Sequence, residues 1–322
     1  MTVSIIIAAK TWAKNLEECV RRCQELDYPD FEIIILPDDA FTKELSPKGT
    51  VPISVISTGP VSPAKKRDIA LAYAKGEILA FIDDDAYPEK DWLKNAVKNF
   101  SAPDVVAVGG PAITPKEDNL RQRASGKVFS SSLVSGKYIY RYLPKKRLEV
   151  DDYPTCNFFV RKSIMEALGG FKTNFWPGED TKLCLDITKE LRKKIIYDPE
   201  VLVYHHRRPL FLPHLKQVAN YALHRGYFVK KYPETSLQFS YFIPTLFLFL
   251  LIGGAFLSLN LVPFRIIYFF GLFLYLLLVF FFSVSKELRL IPLVFFGIIL
   301  THLTYGFWFV KGLLSKKLKE EL

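Results

Sequence analysis

Three stretches toward the C-terminal end of the 322 residues constrain the fold more than any other feature. They are YFIPTLFLFLLIGGAFLSLNL (241–261), FRIIYFFGLFLYLLLVFFF (264–282) and LIPLVFFGIILTHLTYGFWFV (290–310), each almost free of charge. About twenty apolar residues in a helix match the hydrocarbon thickness of a bilayer. A helix in the core of a soluble protein would keep a polar face, and these have none. The sequence therefore predicts two solvents for one chain. Residues 237–322 form a transmembrane region of up to three helices with a basic tail, and the part before about Thr235 reads as a soluble globular protein.

Topology carries one tension. The opening MTVSIIIAAK lacks a basic n-region and its apolar run is too short for a signal peptide, so the front domain is expected in the cytosol. Three full crossings would then place the tail KGLLSKKLKEEL outside, against the positive-inside tendency. Either one apolar segment is re-entrant or interfacial, or the tail, partly balanced by Glu320 and Glu321, is an exception. Between the front domain and the first span, residues 211–236 (PHLKQVANYALHRGYFVKKYP and its flanks) mix aromatics with Lys216, His224, Arg225, Lys230 and Lys231. That composition reads as an amphipathic helix at the lipid surface, with Gln217 and Tyr221 one turn apart.

In residues 1–210 short apolar runs alternate with helical patterns. VSIIIAA, FEIIILPDD, ISVIST and EILAFID read as strands; NLEECVRRCQELDYP and SPAKKRDIALAYAKG read as helices ended by Pro29 and Gly76. Such alternation implies an α/β domain with a parallel sheet covered on both faces. Ligands of such sheets bind beyond the carboxyl ends of the strands. Asp38 and Asp39 end the second strand and Asp83, Asp84 and Asp85 the fourth, so both acidic groups fall on that edge.

The triplet in ILAFIDDDAYP sets the chemical question. Side chains alternate along a strand, so Asp83 and Asp85 share one side and Asp84 takes the other. Two carboxylates on one side are costly unless a cation lies between them, and Mg²⁺ or Mn²⁺ prefers carboxylate oxygen. The alternative is an Asp-rich turn capping the helix of EKDWLKNAVKNF, which accounts for one or two aspartates but not three. Charge and thiols narrow the classes. The net charge is +10, with seven Lys/Arg against three Asp/Glu in the membrane part, leaving +4 there and +6 ahead of it. A basic excess beside membrane helices suits anionic lipid or a phosphate-bearing substrate. Basic stripes interleaved with aromatics are lacking in the front domain, so nucleic acid is not an expected partner. Cys19, Cys23, Cys156 and Cys184 match neither a zinc spacing nor a disulfide framework.

The order VSIIIAAK, FEIIILPDDA, SPAKKRDIALAYAKGEILAFIDDDAYP, GGP, CNFFVRKSIMEALGGF and WPGEDTKLCLDI resembles the family-2 glycosyltransferases of GT-A fold over about residues 1–210. The helix-rich segment and membrane spans behind it resemble the membrane-bound branch that builds polysaccharides or glycolipids. The resemblance implies an inverting transfer of sugar from a nucleotide-diphosphate donor. It assigns the nucleotide-sugar site to Ala8, Ala9 and Lys10 at the first strand end, Asp38 and Asp39, Arg67, Asp83 and Asp84. After Asp39 the family usually has Gly-Ser, where this chain has Ala40 and Phe41. The triplet corresponds to the family's Asp-x-Asp motif, with Asp85 the direct ligand of a divalent cation (Mg²⁺ or Mn²⁺) and Asp83 beside it. Glu179 and Asp180 correspond to the Glu-Asp pair, Asp180 being the base that takes the acceptor proton. Asn157 and Arg161 would line the acceptor pocket.

In YDPEVLVYHHRRP a pair of surface histidines is the plain reading. The sharper one makes His206 a further metal contact, with Arg207 or Arg208 clamping the diphosphate and Gln217 at the active-site opening. The expected protein is a multi-pass cell-membrane glycosyltransferase with a cytoplasmic catalytic domain and a lipid-linked or growing glycan acceptor. Two rivals remain open: a polyprenyl-phosphate sugar synthase, whose phosphate acceptor needs no base, and a non-catalytic membrane scaffold that retains the fold.

Overall fold

The structure is a computed structural model that describes residues 1–40 and 51–321; Phe41 lies outside them. The chain divides into two compact units: Met1–Ile113 with Tyr140–His206, and Thr114–Ile139 with Arg207–Leu322. The expected boundary at 210 is thus joined by an inserted piece, residues 114–139, that belongs with the C-terminal unit. The cause is long-range packing. Ala124 and Val128 of the Leu120–Phe129 helix share a buried apolar cluster with Leu210, Leu290, Val294 and Ile298.

The first unit holds the strands β1 (Val3–Ala8), β2 (Phe31–Leu36), β3 (Ile53–Val55), β4 (Ile78–Asp83), β5 (Ala86–Pro88), β6 (Val105–Gly109), β7 (Ala112–Ile113), β8 (Leu148–Val150), β9 (Asn157–Arg161), β10 (Lys194–Tyr197) and β11 (Val203–His205). One sheet runs β3-β2-β1-β4-β9-β6-β10-β8 and a small one β5-β11-β7. The half built from β3, β2, β1 and β4 is parallel, as expected from runs such as Ile5-Ile6-Ile7 and Ile33-Ile34-Ile35, which are buried on both faces. The other half departs from expectation: β9 enters antiparallel between β4 and β6. Cys19 and Cys23 are buried thiols on the Lys14–Cys23 helix, whose inward residues Leu16, Cys19, Val20 and Cys23 fall at helical spacing.

Among the described residues of the second unit, three helices are long and apolar enough to cross a membrane: Phe239–Asn260, Val262–Ser283 and one beginning at Leu290. They lie where the sequence placed the spans. The Leu212–Lys231 helix runs ahead of them and packs on the third. Contact is close because glycines face backbone: Gly226 lies against Phe309 and Gly312 against the Leu223 carbonyl. Near the start of the Leu212–Lys231 helix, buried His214 joins Ser125 (Nδ1, 2.8 Å) to Thr301 (Nε2, 3.0 Å).

Candidate active site

The site is assembled by strand register. Ala8 aligns with Leu36 on one side and Asp83 on the other, so β2, β1 and β4 end on one edge. Behind that edge lies the Pro63–Ala70 helix. Its Ser62 cap accepts the Lys65 N–H at 3.3 Å and Pro63 occupies the first turn. The resulting phase turns Lys65 to solvent and buries both Lys66 and Arg67.

A buried ammonium must satisfy its three hydrogens. Lys66 does so on the Ala9 carbonyl (2.9 Å), the Leu36 carbonyl (3.1 Å) and the Asp38 carboxylate (2.6 Å). It ties together the ends of β1 and β2 and the turn after them. Asp38 is half-buried and its N–H donates to the Lys10 carbonyl at 3.0 Å, while Asp39 and the Lys10 side chain are exposed. Arg67 lies between two acidic groups: Nη2 bonds Asp83 at 2.9 Å and Nη1 bonds Glu179 at 3.1 Å. Its guanidinium also lies over the Phe81 and Phe171 rings, 5.9 and 6.0 Å from their centroids.

Asp83, Asp85 and His205 each bring a ligand atom within 4.8 Å of the other two. The histidine arrives through the small sheet, where antiparallel pairing sets His205 opposite Ala86 and its Nε2 3.0 Å from the Asp85 carboxylate. This corrects the expectation of His206. Consecutive residues leave a strand on opposite sides, and His206 turns to Glu18 (3.2 Å) with its ring against Tyr87 (5.6 Å). The adjacency of the two histidines was the available signal, but choosing between them needed the register of β11. Two carboxylates and one imidazole are a donor set suited to a divalent cation such as Mn²⁺ or Mg²⁺.

The electrostatics agree. Burial raises Asp84 to about 7, reinforced by Asp85 and Asp83. Burial also raises Asp83, with Arg67 opposing. Glu179 is pushed to about 7 by burial and by Asp180, again against Arg67. Gly178, at φ 124°, turns the chain into the Glu179–Leu185 helix in a conformation that side chains disfavour, and its N–H donates to Glu179 at 3.1 Å. Asp180 takes the Thr181 N–H at 2.8 Å and is more exposed than Glu179.

Two expected acceptor residues hold backbone instead. Asn157 is fully buried: its amide donates to the carbonyls of Gly110 (2.6 Å), Pro111 (3.3 Å) and Val201 (2.8 Å), and its oxygen accepts from the Trp92 indole (2.8 Å). Arg161 lies opposite Ile78, at the far end of β4 from Asp83, and binds the carbonyls of Phe100 (2.6 Å) and Val105 (3.2 Å). Because β9 runs antiparallel to β4, its last residue, Arg161, falls at the edge opposite Asp83. Arg207, Arg208 and Gln217 belong to the second unit. There Arg207 is buried with Nε 3.4 Å from the Thr114 hydroxyl, Arg208 is exposed, and Gln217 donates to the Tyr221 hydroxyl at 2.9 Å.

Comparison with known proteins follows the same lines. Residues 4–169 match the model of glycosyl transferase family 2. A pre-mycofactocin glycosyltransferase of Mycobacterium tuberculosis is 30% identical over 146 residues, which is 45% of this chain and 30% of that protein. The chain thus spans less than a third of that relative's length. A dolichyl N-acetyl-alpha-D-glucosaminyl phosphate 3-beta-D-2,3-diacetamido-2,3-dideoxy-beta-D-glucuronosyltransferase of Methanococcus voltae is 24% identical, covering 71% of this chain and 74% of its own. Among solved structures, a mannosyltransferase of Pyrobaculum calidifontis in complex with GDP-Man and Mn²⁺ aligns with TM-score 0.67 at 19% identity, over 98% of this chain and 88% of that one. At that identity the likeness is one of fold: a GT-A-like α/β domain followed by helices.

Proposed function

The chain belongs to glycosyl transferase family 2, and from that premise we propose that it is a membrane-bound inverting glycosyltransferase. Its donor is a nucleotide-diphosphate sugar and its acceptor the hydroxyl of a lipid-linked or growing glycan. The names of the Methanococcus relative and of a glucosyl-dolichyl phosphate glucuronosyltransferase of Haloferax volcanii, 22% identical, support a lipid-linked sugar as acceptor. The three apolar helices support a membrane location, and the proposal sets the catalytic domain on the cytoplasmic face.

The observation that carries this reading is Arg67, which joins Asp83 of the candidate cation cluster to Glu179 of the acidic pair. Asp83, Asp85 and His205 would hold the divalent cation, which when bound offsets negative charge on a departing nucleoside diphosphate. Asp38 and Asp39, beyond the end of β2, accept hydrogen bonds from the base and ribose. The acceptor oxygen forms a bond to the anomeric carbon as that carbon's bond to the diphosphate breaks, and the hydroxyl proton passes to Asp180. Attack from the opposite face inverts the configuration. Asp180, rather than Glu179, is the base because it remains reachable from solvent, whereas Glu179 is buried and bound to Arg67.

The experiment is nucleoside diphosphate release in detergent, with Mg²⁺ or Mn²⁺, a panel of nucleotide sugars, and membrane lipid extract present or absent. Release from one donor, stimulated by lipid and lost in Asp85→Ala and Asp180→Asn, is the expected result. Release that survives Asp180→Asn points to a phosphate acceptor. Failure to bind or turn over any donor with either metal leaves the scaffold.

A further inference from the structure

The second unit contains enough contacts to trace its path against a bilayer. We propose that the third apolar helix, Leu290–Leu314, does not cross the membrane. It lies along the bilayer surface, so that the chain crosses twice and its tail returns to the side from which the first apolar helix departs.

Chain continuity defines the near side. Residues 114–139 are bracketed on both sides by residues of the α/β unit, and Leu212 follows His206 of that unit by six positions. Neither the 114–139 piece nor the Leu212–Lys231 helix is long and apolar enough to cross. Both therefore remain on the near side. These near-side segments touch the third helix from before its start to beyond its end. Arg123 grips Glu287 with both terminal nitrogens (2.6 and 2.9 Å), and Val128 packs on Gly297. His214 bonds Thr301 (3.0 Å), the Leu133 carbonyl bonds His302 (3.0 Å), and Leu223 backs onto Gly312. Past the helix, His224 and Lys231 hold Glu320 (3.2 Å) and Glu321 (2.8 Å). From Gly297 to Gly312 the axis advances roughly 22 Å at 1.5 Å per residue. A helix crossing the bilayer would carry its far turns out of reach of near-side groups.

Direction argues the same way. The first two apolar helices form an antiparallel hairpin whose contacts reach its far turn: Arg265 to the Ser258 carbonyl at 2.9 Å, Tyr268 to the Leu251 carbonyl at 3.0 Å. A third crossing would run parallel to the first. Instead Phe242 meets Phe309 and Phe247 meets His302, which is the antiparallel sense and involves the near turns of the hairpin. The third helix passes across the base of the hairpin, with Thr245 donating to the Gly306 carbonyl at 3.1 Å and Tyr275 bonding His302 at 3.0 Å. It is also the most covered: 33% of its apolar stretch is buried, against 17% and 11% for the others. Lys311 over the Trp308 ring, at 4.3 Å, is a pairing suited to the headgroup level. The tail lysines Lys316, Lys317 and Lys319 then stay on the near side, as the positive-inside tendency prefers.

Sidedness tests this without reference to sugar chemistry. In sealed membrane vesicles of one orientation, Lys216→Cys, Asn260→Cys and Lys317→Cys are labelled with an impermeant maleimide against the wild-type background. Lys317→Cys is expected to label from the face that labels Lys216→Cys, and Asn260→Cys from the opposite face. Labelling of Lys317→Cys with Asn260→Cys overturns the proposal, and so does labelling of all three from one face. A C-terminal epitope tag on the otherwise unaltered chain repeats the measurement without internal substitutions. Depth-dependent quenching of a fluorophore at Phe307→Cys is expected near the headgroups; quenching at the midplane overturns the in-plane helix.

Discussion

On either side of β1, two strands lead into aspartates, and the surroundings treat them in opposite ways. After β2, Asp38 lies 2.6 Å from Lys66, a full cation committed to that one carboxylate and two carbonyls. At the end of β4, Arg67 is divided between Asp83 and Glu179, and Asp84 and Glu179 are both raised to about 7. One carboxylate comes with its own counter-charge. The other cluster holds negative charge in excess and acquires an imidazole, His205, within reach of two of its carboxylates. The difference separates a group that shapes and orients from a group prepared to receive a cation.

The sharpest way to break that contrast is substitution on both sides. Asp85→Ala is expected to lower nucleoside diphosphate release about a thousandfold, since cation-assisted charge stabilisation amounts to several kcal/mol. Asp38→Asn should instead raise the donor KM about tenfold, or about 1.4 kcal/mol, close to the low end for one hydrogen bond to a charged group. Equal losses in the two variants would erase the distinction. Asp180→Asn is expected to cost about 10²- to 10⁴-fold in kcat, the range for a general base, while the affinity for the nucleoside diphosphate, read by calorimetry, stays as in wild type.

Stability tests the other half. Lys66→Met strands Asp38 against buried carbonyls and should destabilise the α/β unit by about 3–5 kcal/mol in chemical denaturation. Pairing it with Asp38→Leu should recover part of that loss. If the single variant is as stable as wild type, Lys66 is not holding the strand ends. The smallest effect is one of pH. A carboxyl raised in the folded state binds its proton more tightly there than in the unfolded chain, so stability is present at low pH and declines as pH rises from about 4 toward 7. With chelator present, the apo protein is therefore expected to melt several degrees higher at pH 5 than at pH 8, by differential scanning fluorimetry. Asp84→Asn should reduce the difference, and Mn²⁺ at pH 8 should offset it. A melt that rises with pH would contradict the excess of negative charge.

Much of this architecture was legible because local pattern carries it. Isoleucine runs marked β1 and β2, the triplet marked the acidic end of β4, and the helical spacing of Leu16, Cys19, Val20 and Cys23 marked a buried helix face. Asn157 and Arg161 misled because polarity in a strand near a predicted site resembles function. Their burial against carbonyls depends on β9 inserting antiparallel, which composition does not record. Burial of Lys66 depends on the phase of a short helix, which turns it inward between exposed Lys65 and buried Arg67.

By itself the sequence determined that the chain carries three stretches apolar enough to cross a membrane, an α/β front with acidic strand ends that matches one family, and an Asp-Asp-Asp and a Glu-Asp pair. These follow from hydropathy, alternation and residue chemistry, all of which act over a few neighbours. Only the tertiary structure decided which histidine joins Asp83 and Asp85, that one arginine links Asp83 to Glu179, and that residues 114–139 pack with the apolar C-terminal helices. Those outcomes depend on strand register, helix phase and contacts across more than a hundred residues. No local pattern encodes them, because each is set by which surfaces exclude water together.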